Sequence, residues 1–313
     1  MIPPRAQPLP RLVVADTEHV TDIDALVEAA VRQTWNIDPS SLSAHDRGMN
    51  SRTWLVDAGD RRWVAKAVPA DAHARFVSGL AVAAIVDAAG IPAGAPEPNA
   101  DGGTWTAVDG HTLALLRFIP GDPLVGDDPF EQRLIGSTLA RAHRALVGAE
   151  GHGAGRFHWL DAGAPHLDVE PWVRPAVRQA IDAYDALPPA SLTSGLLHSD
   201  PAPEAFLVDR RTGTCGLIDW DMGLFGPLMY DLASAVMYVG GPERASSLLD
   251  AYLADGAIPA AEVEHTLAPM LRLRWAVQAD YFAGRIRTSD LTGVAGPHEN
   301  QEGLDDARRA LTT

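Results

Sequence analysis

The stretch HSDPAPEAF, from His198 to Phe206, is the segment around which the rest of the chain can be interpreted. It places a histidine two residues before Asp200 and an alanine, Ala205, five residues after it. A hairpin pattern follows and ends at a second acid, Asp219, nineteen residues beyond the first. A single hairpin of this length allows two carboxylates from different strands to converge on one centre. The spacing therefore predicts a site built from Asp200 and Asp219.

The residues before this stretch alternate between helical and strand patterns. Ile23 to Trp35 has apolar residues at helical spacing, whereas residues 42–68 form three short runs rich in β-branched and aromatic residues. An Ala-rich helix is predicted from Ala74 to Ala89, and two further strands over residues 104–108 and 112–119. The pattern predicts an antiparallel sheet accompanied by two helices.

After a break at PGDP, residues 120–123, the chain is chiefly helical from Phe130 onward, and its longest predicted helix runs from Ala261 to Ile286. We therefore expect an α+β protein of two lobes. A small lobe with an antiparallel sheet would comprise residues 1–118, and a large, mostly helical lobe would comprise residues 119–313.

The composition limits the partners that the chain can have. Lys and Arg number 25 and Asp and Glu 41, which gives a net charge of 25 − 41 = −16. This charge disfavours nucleic acid and an anionic membrane as partners; it would suit a cationic small-molecule substrate, although acidic surfaces also simply keep proteins soluble.

Cys215 is the only cysteine, so no internal disulfide is expected. No apolar run reaches the length of a signal peptide or a membrane span, and we expect a cytoplasmic monomer or homodimer.

Four short motifs occur in a fixed order along the chain. They are Trp63-Val64-Ala65-Lys66, the loop from His198 to Phe206, Leu217-Ile218-Asp219-Trp220-Asp221, and Gly226-Pro227-Leu228-Met229-Tyr230-Asp231-Leu232-Ala233. This order resembles the aminoglycoside phosphotransferase and choline kinase-like family over roughly residues 40 to 285. The resemblance implies a bilobal protein-kinase-like fold. It also implies transfer of the γ-phosphate of ATP or GTP, with Mg²⁺, to a hydroxyl of an aminoglycoside-like, amino-alcohol or sugar substrate.

The resemblance implies a role for each motif. Asp200 would accept or orient the acceptor hydroxyl, His198 would brace the loop, and Lys66 would bind the α- and β-phosphates. Asp219 would hold the metal ion, and Asp231 would tie a helix to the loop. The other residues implied in nucleotide binding lie after the first strand and where the lobes join, and they are Gly48, Asn50, Ser51, Leu116 and Phe118.

Two positions depart from the family pattern. Ala205 replaces the loop asparagine that would ligate a second metal ion, and Glu204 is the nearest hard oxygen donor for that role. The glutamate expected to pair with the strand lysine is absent from the helix after Lys66, where Gly79 stands near the expected position. Asp71, just before that helix, is a candidate substitute.

Acceptor recognition is expected mainly on the long C-terminal helix. Asp280, Glu262 and Glu264 could receive amino groups, and Arg285 is a further candidate on this helix. Trp275 and Tyr281 could equally belong to the core. Asp221 is either a further ligand or a surface acid. The residues expected at the acceptor are Asp221, Trp275, Gln278, Asp280 and Tyr281.

Two interpretations follow from these motifs. In the first, the chain is an active small-molecule kinase in which Asp200, Asp219 and Lys66 carry in-line transfer. In the second, it is a nucleotide-binding or regulatory protein on the same scaffold, because Ala205 and Gly79 remove a metal ligand and a lysine partner. Because the chain retains Asp200, Asp219, Lys66 and His198 together, the active kinase is the favoured interpretation.

Overall fold

A computed structural model of the 313-residue chain describes residues 23–47, 51–149, 155–157, 159–188, 192–220 and 222–312. The expectations for Gly48, Asn50 and Asp221 lie outside the described residues.

The described part of the chain contains eight α-helices and eleven strands. The helices are α1 (Ile23–Trp35), α2 (His73–Ala88), α3 (Pro129–Leu146), α4 (Val173–Asp185), α5 (Met229–Tyr238), α6 (Ser246–Asp255), α7 (Ala260–Thr288) and α8 (Pro297–Leu311). The strands are β1 (Ser41–Arg47), β2 (Arg52–Ala58), β3 (Arg61–Pro69), β4 (Thr106–Val108), β5 (His111–Arg117), β6 (Asp122–Pro123), β7 (Gly155–Arg156), β8 (Ser194–Leu197), β9 (Phe206–Asp209), β10 (Thr214–Leu217) and β11 (Leu224–Pro227).

The small lobe is a five-stranded antiparallel sheet in the order β1-β2-β3-β5-β4, with one helix packed on each face. Successive side chains of a strand point to opposite faces. Accordingly, Leu113 and Leu115 of β5 pack in the cluster that contains Val31 of α1. Ala114, between them, packs with Phe76 of α2 on the other face. Because a helix covers each face of the sheet, β5 carries apolar residues at the positions that point to either face.

The large lobe is a helical core on which two small sheets are mounted. Helices α3 and α6 pack together, and α7 packs against α4, α5 and α8. The order of one small sheet is β10-β9-β6 and that of the other is β7-β11-β8. Strand β8 leads directly into the segment that begins at His198, and β9 follows that segment. The two small sheets therefore hold both ends of the predicted loop.

The α+β, bilobal fold class is confirmed. Most elements lie within a few residues of their predicted bounds, including α1, the three strands β1 to β3 and the hairpin of β9 and β10. Helix α6 and strands β8 and β11 were not predicted, because each is short and carries no distinct periodic pattern. The sheet of the small lobe ends at Arg117, and the proposed division between residues 118 and 119 stays a prediction. None of the helices in the described ranges combines the length and apolar character needed to cross a bilayer.

The contact between α3 and α6 predicts an effect on stability. A Cβ added at Gly136 of α3 would stand 2.2 Å from the carbonyl oxygen of Leu248. We expect Gly136→Ala to lower the free energy of unfolding in urea by about 1–3 kcal/mol through overpacking. The matched control is Gly284→Ala in α7, where the nearest neighbouring atom is 4.0 Å away. There we expect a gain of about 0.5–1 kcal/mol from helix propensity, and equal effects at the two sites would contradict the packing argument.

Candidate functional site

The loop after β8 is fixed by one buried carboxylate. Asp231, at the start of α5 and fully inaccessible to solvent, accepts the backbone N–H of His198 at 2.7 Å and that of Ser199 at 2.8 Å. His143 of α3 lies 3.3 Å from the same carboxylate and hydrogen-bonds the Tyr252 hydroxyl at 2.7 Å. Ser199 has φ = 75°, an uncommon conformation for a residue with a side chain. The carboxylate thus holds the loop in a conformation that the backbone alone would disfavour.

His198 joins the loop to the segment that contains the second acid. Its Nε2 donates to the carbonyl oxygen of Ile218 at 2.8 Å, and its Nδ1 accepts the backbone N–H of Asp200 at 3.3 Å. A carbonyl can only accept and a backbone N–H can only donate, so these partners specify the tautomer with the proton on Nε2. The ring also packs edge-on against Trp220, with centroids 4.6 Å apart. Both nitrogens are occupied, which assigns His198 a bracing position.

The second acid is paired with the strand lysine. Lys66 of β3 donates to Oδ1 of Asp219 in a short ion pair. The lysine side chain is 6% exposed and the aspartate side chain 59% exposed. The acid therefore opens toward solvent while a buried ammonium holds it from the small lobe. The sequence left the acidic partner of Lys66 open, and in the structure Asp219 takes that place.

Helix α2 packs closely against the segment beyond Asp219. The Ser78 hydroxyl donates to the carbonyl oxygen of Gly223 at 3.0 Å, and a Cβ on Gly223 would stand only 2.1 Å from the same hydroxyl oxygen. Gly79, near the position expected for a glutamate, is buried next to Ser78 in the chain. Asp71, the candidate substitute, is exposed in a short 3₁₀ turn before α2.

Asp200 is held by two residues that sequence reasoning missed. Its Oδ1 accepts the Tyr238 hydroxyl at 2.5 Å and Nη2 of Arg274 at 2.9 Å. Burial acts to lower the pKa of Arg274, but its ionisable neighbours Tyr238, Tyr230 and Asp200 raise it, and the guanidinium stays protonated with its pKa above the usual value. Burial raises the pKa of Tyr238 above its ordinary range, so the phenol remains a donor.

A sequence signal for Arg274 did exist. The buried positions of α7 include Val263, Thr266 and Met270, which recur at intervals of three and four residues and lead to position 274. A cation that falls on the buried stripe of a helix needs an acid nearby. The prediction instead chose Trp275, Gln278, Asp280, Tyr281 and Arg285 on α7 and omitted this residue.

The donor set near Asp219 suits a hard divalent cation that is shared with phosphates. Mg²⁺ in phosphoryl-transfer sites takes one or two carboxylates, with the remaining ligands supplied by phosphates and water. Asp219 is open to solvent, and Glu204 is exposed in a short 3₁₀ turn, Pro203–Ala205. Within the described ranges, no group of three or more His, Cys, Asp or Glu residues is placed to hold a metal alone. The side chain of Ala205 points into the apolar core and offers no ligand.

The edge of β5 that was expected to meet the nucleobase is partly covered by residues 95–97. The backbone N–H of Glu97 donates to the carbonyl of Leu115 at 2.7 Å, and that of Arg117 donates to the carbonyl of Ala95 at 3.0 Å. Leu116 pairs with β3 and is half-buried. The first residue beyond this covered edge is Phe118, whose ring lies 5.3 Å from the Arg62 guanidinium. Ser51 is half-buried immediately before β2.

The residues expected to bind the acceptor are engaged in contacts that hold α7 in place. Gln278 donates to the carbonyl of Gly303 in α8 at 3.0 Å, and Asp280 lies 2.7 Å from Nε2 of His166. The Tyr281 hydroxyl accepts from Arg285 at 3.2 Å. Trp275 is half-buried against the helical core. The packing of Trp275 fits its alternative as a core residue, whereas Tyr281 is exposed and its contact with Arg285 lies within α7. The role of these residues at the acceptor stays a prediction.

Glu262 likewise has a local partner. Its carboxylate accepts both the backbone N–H and the hydroxyl of Thr193, at 2.9 and 2.7 Å. Glu262 and Asp280 are thus occupied within the protein, whereas Glu264 is exposed. Asp200, Asp219 and Glu204 are likewise exposed.

Comparison with known proteins gives consistent results. The family model described as "Phosphotransferase enzyme family" matches residues 41–269. A homoserine kinase of Rhizobium johnstonii is 29% identical over 157 residues, 47% of this chain and 48% of the relative, so the chain spans about half the length of the curated relatives it matches.

Among solved structures, the amicoumacin kinase hAmiN in complex with AMP-PNP, Ca²⁺ and Ami aligns with a TM-score of 0.72 at 14% identity, over 93% of both chains. A microcompartment-associated aminopropanol kinase aligns with a TM-score of 0.70 at 19% identity, over 92% of this chain and 95% of that one. These likenesses confirm the fold, and the family match confirms the resemblance drawn from the motifs.

The carboxylate at the base of the loop yields a prediction. Asp231→Asn puts an NH₂ group where one oxygen now accepts a buried donor. We expect a loss of about 3 kcal/mol in the free energy of unfolding, measured by chemical denaturation. The control is Asp255→Asn, whose ion pair with Arg144 is exposed and should contribute less than about 1 kcal/mol. A loss at position 231 no larger than the loss at 255 would show that the carboxylate does not hold the loop.

Proposed function

The chain belongs to the phosphotransferase enzyme family, and we propose that it transfers the γ-phosphoryl group of ATP or GTP to a hydroxyl of a small molecule. One observation carries this proposal. The ion pair between Lys66 and Asp219 is joined through His198 to the loop that presents Asp200. A phosphate-binding cation, a metal-binding acid and a hydroxyl-binding acid therefore lie on one continuous set of contacts.

Each side chain has a task in an in-line displacement. The ammonium of Lys66 would bind the phosphates from the floor of the cleft, and Asp200 would accept or orient the acceptor hydroxyl. The acceptor oxygen forms a bond to the γ-phosphorus while the bond to the leaving oxygen of the nucleoside diphosphate breaks, and the hydroxyl proton passes to the Asp200 carboxylate. Asp219, and Glu204 if it replaces the missing asparagine, would hold Mg²⁺, which neutralises charge on the phosphates.

Small amino alcohols are the first acceptors to test. The matched relatives and neighbours include a homoserine kinase and an aminopropanol kinase, and both named compounds are small and carry an amino group. The net charge of −16 would attract such cationic groups. Aminoglycosides and sugars are the broader alternatives. Use of a nucleotide with a divalent cation is supported by a neighbour solved with AMP-PNP and Ca²⁺.

Two measurements test the proposal. Thermal unfolding with ATP or GTP, with and without Mg²⁺, should show metal-dependent stabilisation, and Asp219→Asn should abolish it. Nucleotide consumption should then be measured over homoserine, aminopropanol, choline, aminoglycosides and sugars. We expect turnover with at least one acceptor that Lys66→Met eliminates. Stabilisation by nucleotide without consumption of it, with or without any acceptor, would reject the kinase in favour of a nucleotide-binding or regulatory protein.

That second function has an observation in its favour. Ala205 stands where the family has a metal-ligating asparagine, and its side chain is buried at 6% exposure among apolar residues. The site therefore has one ligand fewer than the family pattern unless Glu204 supplies it.

The Mg²⁺ dependence of a Glu204→Gln variant tests whether Glu204 supplies the missing ligand. If the carboxylate is a ligand, its replacement should raise the half-saturating Mg²⁺ concentration by at least about tenfold, because even the outer partners of metal ligands contribute that much. The measurement is nucleotide consumption at varied Mg²⁺. Glu243→Gln changes an equally exposed acid elsewhere on the surface and serves as the control. An unchanged Mg²⁺ requirement would leave Asp219 as the protein's main ligand.

A further inference from the structure

One oxygen of Asp200 is fixed by two donors that come from inside the helical lobe. Oδ1 accepts Nη2 of Arg274, on α7, and the hydroxyl of Tyr238, at the end of α5. The two donors are themselves 2.8 Å apart, from Nη2 to the hydroxyl oxygen. Ser234, one turn before Tyr238, accepts Nε of the same guanidinium at 3.1 Å. The three partners form a connected network around a single carboxylate oxygen.

The burial of this network contrasts with the exposure of the acid. The Arg274 side chain is 7% exposed, whereas that of Asp200 is 62% exposed. Among the described residues, the hydrogen bonds and the ion pair of the Asp200 side chain all end on Oδ1. The other oxygen, Oδ2, is therefore the one available to a molecule in the cleft.

The cation in this arrangement comes from outside the loop. The stretch from His198 to Phe206 contains no lysine or arginine, so the loop cannot balance the charge of Asp200 from its own residues. An exposed, unbalanced carboxylate would bind any ammonium group in the cleft. With the guanidinium of Arg274 on Oδ1, the attraction of the carboxylate for an ammonium at Oδ2 is weakened, whereas a neutral hydroxyl still finds a hydrogen-bond acceptor there.

We propose that Arg274 is a positioning residue, which together with Tyr238 holds Oδ1 so that Oδ2 of Asp200 faces the acceptor hydroxyl rather than an acceptor amine. This inference rests on the proposed phosphoryl transfer. It assigns the long helix α7 a role at the reacting centre through residue 274. The arginine acts through the carboxylate and does not itself take part in the transfer.

Chemical rescue of Arg274→Ala is the central experiment. We expect kcat with the best acceptor to fall by about a hundredfold, because a misplaced reacting group loses about that much. KM for the nucleotide should change by less than about threefold, since the phosphate-binding residues are untouched. Millimolar guanidinium chloride should restore at least about a tenth of the lost rate by refilling the site, and urea, its neutral analogue, should not.

Arg272→Ala is the control on the same helix. Arg272 is half-buried, and its guanidinium donates to Gln179 of α4 and to the carbonyl of Leu311 in α8 instead of to the loop. We expect kcat within about threefold of wild type and no effect of guanidinium.

Two conservative variants keep the proposal testable if Arg274→Ala does not fold. Arg274→Lys retains a cation with fewer donors and should keep an intermediate kcat, whereas Tyr238→Phe removes one of the two donors and should lower kcat by about three- to tenfold. Wild-type kcat in both, or in Arg274→Ala, would overturn the proposal. So would an Arg274→Ala defect that urea restores equally or that Arg272→Ala reproduces. A wild-type protein that transfers phosphate to no acceptor would instead overturn the proposed function on which the inference rests.

Discussion

The geometry of the whole site depends on the carboxylate of Asp231. It is fully buried and accepts two consecutive backbone N–H groups, those of His198 and Ser199, which belong to no sheet or helix. Buried backbone donors without partners are strongly destabilising, so the loop and the start of α5 must form together. Because His143 and Tyr252 continue the network into α3 and α6, the position of the loop is set by the core of the helical lobe.

The two acids of the site follow the same physical rule. Asp200 and Asp219 are each more than half exposed, and each is paired with a cation that is almost fully buried, Arg274 in one case and Lys66 in the other. A buried cation needs its partner more than an exposed anion does, since burial removes the water that would otherwise stabilise its charge. Each carboxylate is thus held by a buried cation on one side and remains exposed to solvent on the other.

The sequence predicted those parts that short-range patterns encode. Alternation in the strands and helical periodicity indicated the sheet and the helices. The order of the four motifs, through its resemblance to the phosphotransferase family, pointed to Asp200 and Asp219 as the candidate acids. Contacts between segments that are distant in the sequence could not be predicted from it. Residue 274 lies 74 positions from Asp200, and residue 219 lies 153 positions from Lys66. No local pattern reports which of many charged residues on a long helix faces inward. The acceptor residues chosen on α7 were selected by chemical type, and type alone does not determine direction.

The contact between Ser78 and Gly223 has a consequence for how the two lobes respond to their surroundings. A lysine–glutamate pair between helix and strand would weaken as salt screens the charges. Here α2 is joined to the segment beyond Asp219 by the hydrogen bond from the Ser78 hydroxyl to the Gly223 carbonyl and by close packing around it. Neither group carries a net charge. The alignment of α2 with that segment should accordingly be governed by shape, and it should be nearly independent of ionic strength.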